Sequence, residues 1–196
     1  MHAYEKLPLN IAGYLLALLL IAGHLWMLRK PSDTKQFFLK FPRNTKLGQI
    51  LMGVGIFWFW LLIIPDKFFF SSPLAMDLQD FNSLKFIMAF AVPLVGYLVI
   101  TECKEFISVR GLGLCLLMAA APLLAAAWQE PHTLKNLIPL YAYLMIIKGL
   151  FMVGMPYLTR DLIGWATADS KRFKLLCTGG LVYGVIVLTC SIFMWN

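Results

Sequence analysis

The chain has 196 residues, of which 60% are apolar and 14% charged, where soluble domains carry roughly 25% charged residues. A soluble fold of this size cannot hide helices that are apolar all round, which belong in a membrane or at the centre of a large protein. The net charge of +7 does not indicate nucleic acid, because the basic residues lie between apolar blocks, where they report topology.

A hydrocarbon core ~30 Å thick takes roughly 20 helical residues to cross. Six apolar blocks of about that length are expected to span, at about 9–28, 47–64, 86–101, 111–129, 137–158 and 175–195. Barrel strands alternate apolar and polar residues, and the run at 15–22, Leu-Leu-Ala-Leu-Leu-Leu-Ile-Ala, does not. The expected fold is therefore all-α: one domain over 1–196, an integral membrane bundle of six transmembrane helices with short interfacial helices on the cytoplasmic side.

The first block is nearer 20 residues than the 7–15 of a signal-peptide core, and Arg29 and Lys30 follow it like a stop-transfer flank. It reads as a retained span. In the next segment Ser32 and Asp33 are expected to cap a short helix. There Phe37, Phe38, Leu39 and Phe41 offer apolar anchors among Lys35, Lys40 and Arg43, a pattern suited to the headgroup region. Pro42 should end that helix.

The longest loop, 65–85, follows the second span. Phe68, Phe69 and Phe70 should sit at the interface, Pro73 should open a short helix, and Ser83 should cap the third span. Asp66, Asp77, Asp80 and Glu130 make this face mildly acidic, without an EF-hand pattern.

Pro93 and Pro122 fall inside the third and fourth spans and should bend them. The fourth is also rich in Ala, at 119–121 and 125–127, which lets helices approach closely and suggests a central position. The third basic segment, 159–174, mixes Leu162, Ile163 and Trp165 with Arg160, Lys171, Arg172 and Lys174, again an interfacial pattern. Gly180 and Gly184 form a GxxxG in the last span, which serves either a contact within the bundle or a dimer face. Trp26, Trp58, Trp60, Trp128 and Trp195 lie near span ends, where aromatic belts form.

Segments 29–46, 102–110 and 159–174 hold twelve Lys or Arg, and the segments on the other side hold four. Cytoplasmic loops attract Lys and Arg. The split puts both termini outside a bacterial inner membrane and makes anionic lipids at the cytoplasmic face the expected contact. Cys103, Cys115, Cys177 and Cys190 form no CxxC pair and read as small packing residues.

The candidate intramembrane polar site comprises Lys148, Tyr97, His24 and Glu102. Lys148 stands near the middle of the fifth span, roughly 16 Å below its outer end at 1.5 Å per residue. Central lysines cost ~3 kcal/mol or more to insert and usually face the bundle interior. Tyr97 should lie at a similar depth in the third span. His24 and Glu102, at depths of ~22 and ~24 Å, form a second layer near the cytoplasmic interface. A pair there would give His a titratable partner. Cys103 and Cys115 are close in sequence terms, but no zinc spacing occurs. No Walker A loop, Rossmann fingerprint, GxSxG elbow or HExxH is present, so no cofactor and no metal is expected.

The stretches Phe41-Pro42-Arg43, Val109-Arg110-Gly111-Leu112 and Arg160-Asp161-Leu162-Ile163-Gly164-Trp165-Ala166-Thr167-Ala168 resemble those of an uncharacterised family of small bacterial multi-pass inner-membrane proteins. The resemblance implies an inner-membrane location and no particular activity. The function expected is a non-catalytic structural or assembly component. The alternative is a small-solute or ion transporter using Lys148 and the proline-bent helices. A lipid-modifying enzyme ranks third, since no paired carboxylates or His-Asp set faces the headgroups. Besides the bilayer, the expected partner is a second copy or a larger membrane complex, with no nucleic acid.

Overall fold

The computed structural model describes residues 3–65, 72–128 and 130–195. Eight helices run in order: α1 Leu9–Arg29, α2 Pro31–Lys40, α3 Thr45–Ile63, α4 Lys85–Glu102, α5 Ile107–Ala127, α6 Leu137–Gly154, α7 Pro156–Ala168 and α8 Ser170–Phe193. Among the described residues there is no strand, and α1, α3, α4, α5, α6 and α8 are each long and apolar enough to cross a membrane. The molecule is an all-α bundle of a multi-pass membrane protein. The helices run alternately up and down, so one end of the bundle carries Trp195 and the other carries α2 and α7.

Helix α5 is the centre, packing on α3 along one side and α6 along the other. Glycines explain how close these contacts are. A Cβ on Gly111 would lie 2.7 Å from the Met52 amide nitrogen of α3, and one on Gly113 would lie 2.9 Å from the Gly149 carbonyl oxygen of α6. Two residues apart on a helix are nearly opposite in direction, so this pair serves both neighbours. On α3, a Cβ on Gly48 would come closer still to the Ser108 amide nitrogen of α5. The central place suggested by the alanine content holds.

α1 and α8 form the other closely packed pair, and α4 packs chiefly on α3 at the periphery. Gly180 and Gly184 face α1, meeting His24 and Leu20 respectively, so the GxxxG serves a contact within the bundle.

The main packed core lies toward the Trp195 end. It joins Leu9, Ala12 and Leu16 of α1 to Ala126 and Ala127 of α5, Ile138 of α6, and Val187 and Cys190 of α8. Polar staples reinforce it. Tyr183 stacks on Tyr141 at 5.7 Å between ring centres and donates its hydroxyl to the Leu137 carbonyl at 2.5 Å, tying α8 to α6. Trp195 is buried and donates its indole N–H to the Thr133 carbonyl at 3.0 Å.

Several boundaries differ from those expected. The fifth span stops at Gly154, not near 158. Pro156 cannot donate to the helix ladder and its ring restricts the residue before it, so Met155 leaves the helical conformation, at φ −129° and ψ 64°, and α7 starts at Pro156. Ser32 and Asp33 do not cap α2. Lys30 holds the cap position and Pro31 opens the first turn, where its missing N–H costs nothing. The helix does end before Pro42, in a tight 3-10 turn, Phe41–Arg43. Pro73 lies in a turn instead of opening a helix, and the short helix here is Gln79–Leu84. Leu84, not Ser83, precedes α4, with no side-chain cap. Phe68, Phe69, Phe70 and Asp66 lie outside the described residues. All four cysteines are free.

Candidate functional site

Away from the packed core, α6 no longer bears on α8. Helix α7, released by the break at Met155, packs against α6, α8 and α2. A cavity of about 420 Å³ remains between these elements and α1. His24 and Met27 line it from α1, Phe38 from α2, Lys148 from α6, and Phe173, Leu176 and Cys177 from α8. Helix α7 adds Leu162, Ile163, Trp165, Ala166 and Thr167. The walls are mainly apolar, so the few polar groups decide what the cavity can hold.

His24 has a fixed tautomer. Its Nδ1–H donates to the Leu20 carbonyl at 2.7 Å, since a carbonyl oxygen only accepts. Nε2 makes no hydrogen bond among the described residues and lies against Gly180, where a Cβ would come within 2.0 Å of it. The bare Gly180 backbone is what admits the ring between α1 and α8.

Lys148 lies six residues before the end of α6, about 9 Å inside the helix end. Its ammonium makes no hydrogen bond or ion pair among the described residues. Two more cations flank the lining rings. Arg172 stands 4.3 Å over the Trp165 ring and donates to the Trp165 carbonyl at 2.8 Å. Lys35 stands 5.4 Å over the Phe173 ring and donates to Ser170 Oγ at 3.0 Å. The acids of these elements are engaged elsewhere: Asp161 pairs with Arg160 at 2.9 Å, Asp169 accepts the Lys171 amide at 2.9 Å, and Asp33 accepts the Ser32 hydroxyl at 3.3 Å.

Comparison of the chain with protein-family models, curated proteins and solved structures finds no match. What the site can do follows from its geometry alone.

The four residues singled out in the sequence do not form one site. His24 and Lys148 share the cavity. Tyr97 is 65% exposed and lines a separate cleft of about 410 Å³ between α3 and α4, with Gly53, Ile56, Phe57 and Trp60. Glu102 is exposed as the last residue of α4. No ion pair joins it to His24 among the described residues. Nor do three His, Cys, Asp or Glu side chains converge to hold a metal among the described residues. Gly180 is marked in the sequence as part of a GxxxG but not as the seat of His24, and Phe173 is a site residue that the sequence does not mark. Glycines and aromatics are common in such helices, and nothing local shows which ones face a polar partner.

Proposed function

We propose that this protein is a non-catalytic structural or assembly component of a bacterial inner membrane, with both termini outside and α2 and α7 at the cytoplasmic leaflet. It holds a binding pocket at that leaflet. The observation that supports this reading is the position of the cavity. The His24–Lys148 space is lined by α1, α2, α6, α7 and α8, while the packed core and the Tyr141–Tyr183 staple lie between it and the Trp195 end. A pocket backed by a packed core suits holding a ligand or a neighbour more than passing a solute. The charge split supports the orientation, and the amphipathic faces of α2 and α7 suit headgroups.

A transporter is the second reading, favoured by the unpaired Lys148 on a cavity wall. Passage would require the core at the Trp195 end to open. Lys148→Met separates the two. For a structural component the substitution removes an unpaired charge from a span, where charge is costly, so thermal stability in lipid-free detergent rises and growth is unchanged. Loss of solute or proton flux in proteoliposomes, with folding intact, would overturn the structural reading and establish the transporter.

A further inference from the structure

The His24–Lys148 cavity combines features that specify a class of ligand. A cation inside a span is costly unless it is paired, and the Lys148 ammonium has no protein partner among the described residues. The walls around it, Met27, Leu162, Ile163, Phe173 and Leu176, offer nothing to replace the hydration shell of a free anion. They do suit hydrocarbon. A lysine about 9 Å inside the helix end can extend its stem toward the interface. That brings its charge toward the level of phospholipid phosphates. Arg172 and Lys35 stand on the rings at the cavity wall, and the nearby acids, Asp33, Asp161 and Asp169, are each held by another group. The uncompensated charge is positive. The volume of about 420 Å³ falls within the ~300–1,000 Å³ of small-molecule sites, enough for part of one lipid.

We propose that this cavity binds an anionic phospholipid of the adjacent leaflet. The phosphate is received by Lys148 with Arg172 or Lys35, and an acyl chain lies along the apolar wall of α7 and α8. His24 Nε2 supplies a further polar contact, accepting from a headgroup hydroxyl. This rests on reading the cavity as a binding pocket instead of a passage.

The test uses the purified full-length protein in neutral detergent, titrated with phosphatidylglycerol, phosphatidylcholine or inorganic phosphate and read by native mass spectrometry. Phosphatidylglycerol should bind at least ~10-fold more tightly than phosphatidylcholine, whose choline ammonium cancels the net negative charge, is repelled by Lys148, Arg172 and Lys35 and has no hydroxyl to offer His24 Nε2. Lys148→Met should remove that preference, and Lys148→Arg should keep most of it. Inorganic phosphate should not compete. Brominated phosphatidylglycerol should quench the emission component lost in Trp165→Phe, a readout that needs no Lys148 variant to fold. Equal binding of the two lipids, an undiminished preference in a folded Lys148→Met, or the absence of Trp165 quenching would each overturn the lipid site. Saturable binding of phosphate alone, displacing the lipid, would make it a site for free anions and overturn it as well. Loss of flux in Lys148→Met would sink the structural role without touching the lipid preference, so the two failures are distinguishable.

Discussion

Gly179 and Gly180 are adjacent on α8, yet alanine should act on them in opposite directions. Nothing lies within 4 Å of a Cβ on Gly179. Replacing a helix-interior glycine in open space gains about 0.5–1 kcal/mol through backbone entropy. A Cβ on Gly180 would meet three atoms of the His24 ring, Nε2 at 2.0 Å, Cε1 at 2.4 Å and Cδ2 at 2.6 Å. To reach ordinary van der Waals separation the ring must retreat by more than about 1 Å, and its opposite edge is tied to the Leu20 carbonyl at 2.7 Å. Breaking that bond costs about 1 kcal/mol and overpacking typically ~1–3 kcal/mol. Gly180→Ala should therefore lose about 1–3 kcal/mol net after the helix gain. Apparent midpoints from thermal unfolding in detergent, taken at one scan rate, give the comparison. His24→Ala removes the obstacle, so in that background Gly180→Ala should be neutral or stabilising, and the double-mutant cycle should show coupling. If Gly180→Ala is as benign as Gly179→Ala, or its penalty survives removal of the imidazole, the packing of His24 into α8 is wrong.

Two further predictions concern the faces of the bundle. Hydrogen bonds from the Asn82 side chain and the Gln79 amide, aided weakly by Lys85, hold the Asp77 carboxyl below its usual range. A depressed native value stabilises the turn above the unfolded value of about 3.9, and that stability is lost as pH falls through the lower native value. Amide exchange at Gln79, corrected for intrinsic rates, should lose protection as pH falls below about 4, and Asp77→Asn should flatten this dependence. Constant protection over that fall would refute the assignment. For orientation, single cysteines within 34–40 and 170–174 should resist an impermeant thiol reagent in intact cells, while one at Asp80 reacts. Reversed labelling would overturn the topology drawn from the basic loops.

Much of the fold is legible because span-forming blocks are separated by charge. The α6–α7 break was also written in the chain, as Gly154 and Pro156, but Tyr157 and Leu158 continue the apolar run and mask it. The position of the break sets the depth of the site. Counted from the true end of α6, Lys148 is about 9 Å in, and His24, five residues before Arg29, is about 8 Å in. Counted to residue 158, Lys148 would be about 15 Å in, and the match disappears. Depth along a helix can be counted from sequence, but lateral neighbours cannot. Tyr97 and Glu102 share a counted depth with Lys148 and His24, but α4 rests chiefly on α3. The α1–α8 contact that sets the cavity is announced on α8 by the GxxxG, but the pattern does not say that α1, far away in sequence, is the helix it meets.

That contact also sets an order of events during synthesis. The partner of α1 is α8, made after every other described helix, and about 160 residues separate the end of α1 from the end of α8. At ~5–20 residues per second, α1 waits in the bilayer for roughly 10–30 s before α8 arrives, while the α3–α5–α6 slab already has all its members. Over that interval His24 has no Gly180 to rest against and the cavity has one wall missing. Late pairing makes the two outermost helices the slow, vulnerable step of assembly. A lipid or insertion factor that shelters the exposed face of α1 would act then, before the pocket exists.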